Sequence, residues 1–153
     1  MFPSEADHVN LKDRVAEWGR PPPPVPAPDE IIHGIATSNQ RPRINPSLKA
    51  LGVTKETVVV ERGDVARAKP EPDLLLECQE RLGVEVKDCY VVGDAVWDVM
   101  AARRARMLSG GLLTVRLLGG GYGEDELVRA GAFRVFRDAA DLRNYLDELG
   151  VLP

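Results

Sequence analysis

Apolar positions along this chain fall into short runs separated by stretches of helical spacing, and the two patterns alternate. Ile31 to Asn39 opens apolar and stops on Thr37, Ser38 and Asn39, which predicts a first strand. Arg41 to Asn45 reads as a polar loop. Asn45-Pro46 then serves as cap and first residue of a short helix through Ala50, closed by Gly52. Thr57 to Glu61 is β-branched and predicts a strand ended by Gly63-Asp64. After a loop carrying Lys69-Pro70-Glu71-Pro72, the spacing of Leu74, Leu75, Cys78 and Leu82 predicts a helix over 73–82, terminated by Gly83. Cys89 to Val92 predicts a buried strand that breaks at Gly93 and runs, after Asp94, into a helix to about Arg106. Leu112 to Leu118 predicts another strand, Gly119 to Gly123 a loop and Glu124 to Ala130 a helix. Phe133 to Phe136 predicts a last strand, and Ala139 to Leu149 a terminal helix. Strand and helix in alternation imply an α/β fold, a Rossmann-like parallel sheet with helices on both faces.

The first 28 residues differ. Ser4 and Asp7 resemble a helix start, and Leu11, Val15 and Trp18 give one thin apolar stripe that ends by Gly19. Pro21 to Pro24, Pro26 and Pro28 cannot be helix or central strand and read as an extended polyproline linker, with a proline-rich ligand segment as the sharper alternative. The division expected is therefore 1–28 as helix plus linker and 29–153 as the α/β core.

Composition narrows the function classes. Net charge is −4 without a block of Lys or Arg, so general nucleic-acid binding is disfavoured. No apolar run approaches membrane length and no leader pattern opens the chain, so the expectation is a soluble cytoplasmic protein. Cys78 and Cys89 have no His or second Cys at ligand spacing and read as reduced core thiols. His8 and His33 have no partners at useful spacing and receive no catalytic role.

Candidate chemistry sits at three predicted strand ends: Thr37-Ser38-Asn39, Lys69-Pro70, and Gly93-Asp94 with Asp98 one helical turn on. In a right-handed parallel sheet these ends share one edge. They would gather hydroxyls, one cation and two carboxylates, a set that suits a phosphate with Mg²⁺. Each piece has a plainer reading. Asp94 could be a helix cap and Asp98 a solvated acid, while Lys69 could be a surface lysine. Trp97 and Met100, on the helix after the site, are expected to pack. The glycine loop at 119–123 lacks the Lys and Ser/Thr of a phosphate loop, and the acids at Glu124-Asp125-Glu126 would repel an anion there.

Placed in order, these pieces resemble the core of the haloacid dehalogenase (HAD) superfamily of phosphohydrolases, in its phosphoglycolate-phosphatase-like branch. Ile35 to Asn39 is similar to the family's second motif, Ala68 to Asp73 to its third and Val91 to Asp98 to its fourth. The tail from Gly120 through Gly131-Ala132 to Asp138 is also similar. The resemblance implies that Thr37, Ser38 and Asn39 bind the phosphoryl group, that Lys69 is catalytic in neutralising it, and that Asp94 and Asp98 hold Mg²⁺. With only those two acids, the Mg²⁺ affinity expected is weak, roughly millimolar. The substrate class implied is a small phosphorylated molecule.

Two departures bear on activity. No Asp-x-Asp, the family's first motif and the source of its nucleophile, occurs in these residues. The cap domain usual between the first two motifs is replaced by the proline-rich segment. Arg106 also stands where relatives carry a helix-ending glycine. The strand missing with the first motif lies, in relatives, between those matching residues 31–36 and 89–92. Its loss leaves two apolar edges, which could pair directly, be filled by residues 1–28, or accept a strand from a complementing chain. The reading is thus a HAD-like phosphohydrolase, impaired or inactive as an isolated chain. The alternative is a non-catalytic phosphate- and Mg²⁺-binding remnant, or half of a split enzyme, with a partner chain or a homo-oligomer.

Overall fold

The computed structural model describes residues 31–113 and 121–146. The expected N-terminal helix and polyproline linker, the segment 114–118 and the last turns of the terminal helix lie outside these residues. Five strands and five α-helices alternate along the rest: β1 (Gly34–Ala36), α1 (Arg41–Ala50), β2 (Val58–Val60), α2 (Asp73–Leu82), β3 (Tyr90–Gly93), α3 (Val96–Ala105), β4 (Leu108–Leu112), α4 (Glu124–Ala130), β5 (Arg134–Phe136) and α5 (Ala139–Arg143). All strand pairs are parallel. They form two separate groups, β1-β2 and β3-β4-β5, both flanked by helices. The α/β, Rossmann-like class expected of the chain is therefore the one it adopts.

Helix α2 has the predicted bounds because apolar residues recur on one side and Gly83 takes a left-handed backbone (φ 68°) that ends it. Leu74 from this helix joins Val60 and Cys78 in one buried cluster, while its neighbour Leu75 joins Ala101, Ala102, Ala105 and Met107 in another. Ala36, at the end of β1, packs against both clusters. One helix and one strand tip thus tie the two strand groups into a single body.

Three local readings need correction. Residues 41–45 are not a loop. Helix α1 begins at Arg41, with Pro42 in its first turn, where a missing N–H costs nothing, and Pro46 inside it. The strand expected from Leu112 already begins at Leu108, immediately after α3 ends, and the rest of the expected run, 114–118, lies outside the described residues. Its Ser-Gly-Gly centre looks unlike a strand, yet Gly110 is needed there. A Cβ at that position would lie 2.7 Å from the Tyr90 hydroxyl and 2.9 Å from the Phe136 ring. The first strand also shrinks from a nine-residue run to the three residues of β1.

Arg106 does not avoid the left-handed conformation but adopts it, at φ 61° and ψ 33°, closing α3 as a glycine would. A non-glycine residue pays roughly 1–2 kcal/mol in that region. Arg106 is exposed, so little is lost with its side chain. Arg106→Gly is expected to raise unfolding free energy by about 1 kcal/mol, measured by urea denaturation at unchanged m-value.

Candidate functional site

The site forms where β1 and β3 end. The chain leaves β1 through Thr37, whose N–H donates to the Val60 carbonyl (2.9 Å), continuing the ladder with β2. The Thr37 hydroxyl accepts from the Asn39 N–H (3.2 Å), and the Asn39 carbonyl accepts from the Arg62 N–H (3.1 Å). This tight turn leaves Ser38 and Asn39 exposed. Glu61 anchors the far side, its carboxylate accepting from the Arg41 N–H at the start of α1.

Lys69 joins the two strand ends. Its Nζ donates to the Ala36 carbonyl (2.7 Å) and lies 2.8 Å from Asp98 Oδ1. Both side chains of that ion pair are only 14% exposed, so solvent screens them less than a surface pair. The loop bearing Lys69 is held from two sides. Arg67 grips Asp73 through two hydrogen bonds (3.1 and 2.9 Å), holding its carboxyl below the usual range. Arg104 on α3 donates to the Pro70 carbonyl and to Glu71, both at 2.9 Å. Within the loop, the Lys69–Pro70 peptide is cis. Neither arginine is marked by the sequence, since the Arg104 contacts cross more than thirty residues and no local spacing announces them.

Asp98 does two jobs at once. While Oδ1 faces Lys69, Oδ2 accepts from the Ala95 N–H (3.1 Å) at the start of α3. The helix cap that was the plainer reading of Asp94 is therefore supplied by Asp98 from inside the helix, and Ala95 occupies the cap position. Asp94 is exposed, and its carboxylate has no hydrogen-bond or ion-pair partner among the described residues. Gly93 makes this packing possible, because a Cβ there would lie 2.4–2.6 Å from the Asp98 side chain. Trp97 does not pack as expected and is 48% exposed, the helix turning Val99, Ala101 and Ala102 inward instead.

The structure thus brings Lys69 and Asp98 into contact and sets Thr37 and Asp94 at the ends of the strands they join. Among the described residues, no group of three or more His, Cys, Asp or Glu is placed to hold a metal ion. Asp94 and Asp98 form a pair, one carboxylate unpartnered and the other with each oxygen holding one hydrogen-bonding partner. Such a pair matches a hard cation that takes one or two carboxylates and completes its shell with water and phosphate.

A slot of about 800 Å³ lies beside the site, between β1 and β3. Cys78, Cys89 and Tyr90 line it. Burial pushes the thiols of Cys78 and Cys89 and the phenol of Tyr90 above their ordinary values. The Tyr90 hydroxyl is buried without a hydrogen-bond partner among the described residues.

Parallel strands flanked by helices, with a lysine, hydroxyls and carboxylates at their carboxyl ends, define an α/β protein whose polar groups gather where such sheets place their sites. Comparison with known proteins carries this further. A family model described as haloacid dehalogenase-like hydrolase matches residues 29–106, and the chain belongs to that family. The phosphoglycolate phosphatase of Escherichia coli K12 is 38% identical over 92 residues, covering 60% of this chain and 35% of that protein. A crystal structure of a hydrolase from Pseudomonas syringae superposes with a TM-score of 0.69 at 44% identity, covering 75% of this chain and 51% of the other. A family hydrolase from Deinococcus radiodurans, crystallised with bound phosphate and sodium, gives 0.65 at 33% identity, with 76% and 52% covered. The chain therefore spans about a third to a half of the length of these relatives. No described helix is long and apolar enough to cross a membrane.

Two outcomes follow from the geometry. Gly93→Ala should displace Asp98 and cost about 1–3 kcal/mol of stability, read by urea denaturation, with loss of protection at the Ala95 amide. Because a raised thiol pKa moves thiolate formation to higher pH, iodoacetamide alkylation of Cys78 and Cys89 should still be rising above pH 9. A free cysteine, with a pKa of about 8.5, approaches its plateau there.

Proposed function

We propose that these residues form the phosphate-handling core of a phosphomonoester hydrolase of the haloacid dehalogenase family, acting on small phosphorylated molecules with Mg²⁺. Lys69 lies against the phosphoryl oxygens and neutralises them, while the Thr37 hydroxyl and the Ser38 and Asn39 groups donate hydrogen bonds. Asp94 and Asp98 would hold the cation, Asp98 while keeping Lys69 in place. The bound Mg²⁺ supplies charge neutralisation at the phosphoryl oxygens. The observation that carries this reading is the ammonium of Lys69 bridging the Ala36 carbonyl and Asp98 at the ends of β1 and β3.

Attack on phosphorus needs an in-line nucleophile, and no Asp-x-Asp pair is present in the 153 residues. Thr37 and Ser38 have hydroxyls but no base beside them: no His or carboxylate is hydrogen-bonded to either among the described residues. The chain by itself binds and orients; it does not turn over. The second reading, a phosphate- and Mg²⁺-binding module without hydrolysis, is favoured by that missing pair. It differs only in whether a nucleophile is ever supplied.

Titration of inorganic phosphate and Mg²⁺, followed by amide NMR shifts over residues 93–98, tests the proposal. Phosphate should bind more tightly with Mg²⁺ present. Lys69→Gln should weaken phosphate binding at least tenfold, about 1.4 kcal/mol, and Asp94→Asn should remove the Mg²⁺ enhancement. Hydrolysis of p-nitrophenyl phosphate should stay at background. Absence of phosphate binding overturns the reading. Metal-dependent turnover lost in Asp94→Asn overturns the statement that the chain lacks hydrolysis.

A further inference from the structure

The loop that carries Lys69 is fastened to α3 at two points. In the first turn of that helix, Asp98 Oδ1 meets the Lys69 ammonium at 2.8 Å. Six residues on, in the last turn, Arg104 Nη1 donates to the Pro70 carbonyl and to Glu71 Oε1, each at 2.9 Å. Six residues of helix rise about 9 Å. Three consecutive loop residues are therefore tied to the two ends of one helix. The helix itself has little freedom to shift, because Val99, Ala101 and Ala102 are fully buried and Ala105 nearly so.

The loop has few other means of holding its shape. Pro70 has no N–H, so its carbonyl is its one backbone hydrogen-bonding group, and Arg104 takes it. Within the loop, the Glu71 N–H donates to the Ala68 carbonyl (3.0 Å). The Glu71 carboxylate is shared. Its other oxygen lies 3.7 Å from Arg67, which in turn grips Asp73 at the start of α2. Arg104, Glu71, Arg67 and Asp73 thus form a line of alternating charge around the backbone that presents Lys69. The Arg104 and Glu71 side chains are 42% and 37% exposed, so solvent screens their pairing and it adds little to global stability. Its effect is on position. A lysine side chain is a flexible four-carbon stem, and only a fixed backbone delivers its ammonium to one place.

We propose that Arg104 is a positioning residue for the phosphate site: it touches neither anion nor cation and acts by fixing the Pro70–Glu71 backbone beside Lys69. The inference rests on the reading of Lys69 as the group that neutralises the phosphoryl oxygens. With the Pro70 carbonyl and Glu71 released, the ammonium keeps its charge but samples more positions. An anion then finds it in the binding geometry less often. Two substitutions separate the bonds from the bulk. Arg104→Met keeps an apolar stem and removes the donors, whereas Arg104→Lys keeps one nitrogen with N–H groups for both acceptors.

The full chain is titrated with inorganic phosphate in the presence of Mg²⁺, in salt giving a Debye length of about 8 Å, so that the lost charge of a distant arginine is screened. Arg104→Met should weaken phosphate binding about fivefold, or about 1 kcal/mol, while Arg104→Lys binds nearly as the unchanged chain does. The urea midpoints of both should stay close to the original. In a Lys69→Gln background, Arg104→Met should weaken binding no further, because its effect passes through Lys69. A readout that needs no phosphate is the side-chain NH₃⁺ signal of Lys69 in NMR. Held by Ala36 and Asp98, these protons exchange slowly with water; Arg104→Met should broaden the signal and Arg104→Lys should preserve it. Unchanged phosphate affinity in Arg104→Met overturns the proposal. So does an equal further loss in the Lys69→Gln background, where Arg104 would be acting on the anion itself. Equal losses in Arg104→Lys and Arg104→Met, or amide shifts spread through β4 and β5, would mark a merely structural part and overturn it as well. If the unchanged chain binds no phosphate, the reading of the site fails and the Lys69 signal alone decides. A signal still sharp in Arg104→Met then overturns the positioning role, and one broadened there but kept in Arg104→Lys upholds it.

Discussion

A single ammonium group holds the working end of this molecule together. Lys69 reaches from the loop before α2 to the last carbonyl of β1 and to the carboxylate one turn into α3. The two strand groups are not hydrogen-bonded to each other, so this contact does at the carboxyl ends what a sheet ladder would otherwise do. A hydrogen bond to a charged group contributes about 1.5–3 kcal/mol. The partly buried position keeps the pair from being screened away. The same charge that closes the structure is the one we propose neutralises a phosphoryl group at the strand ends.

Everything around Lys69 serves to fix it. Arg67 and Arg104 clamp its loop to the starts and flanks of α2 and α3, and Gly93 lets Asp98 fold back to meet it. Asp98 then spends its second oxygen on the α3 terminus, so helix and lysine are oriented by one carboxylate. Asp94 is left without a hydrogen-bond or ion-pair partner among the described residues. This division of labour, one acid committed and one open, is what makes the pair compatible with a hard cation.

Membership of the haloacid dehalogenase-like family and the shape of the slot bear on each other. The family model covers residues 29–106, and the relatives compared are roughly two to three times as long as the part they share with this chain. The matched region contributes the lysine and acid strand ends, while β1 and β3 are not paired with each other among the described residues. Packing through Ala36 and α2 is enough to hold the two groups beside that opening, because each feeds its own buried cluster.

Local chemistry made much of this legible beforehand. Helix α2 followed from apolar spacing and Gly83, β2 from three consecutive valines, and the strand-end residues Thr37, Lys69, Asp94 and Asp98 from short motifs, since each signal lies within a few neighbouring residues. Where an element depended on close contacts elsewhere, the reading slipped. The glycine-rich β4 exists because Tyr90, Phe136 and Leu127 press against it, and no spacing within residues 108–112 says so. The sequence by itself determined the class of fold and the kind of groups at the site. Only the tertiary structure decided that Lys69 meets Asp98, that Arg104 holds the loop and that the two sheets stay apart. Those contacts join residues about thirty positions distant, and only the packed chain brings such residues together.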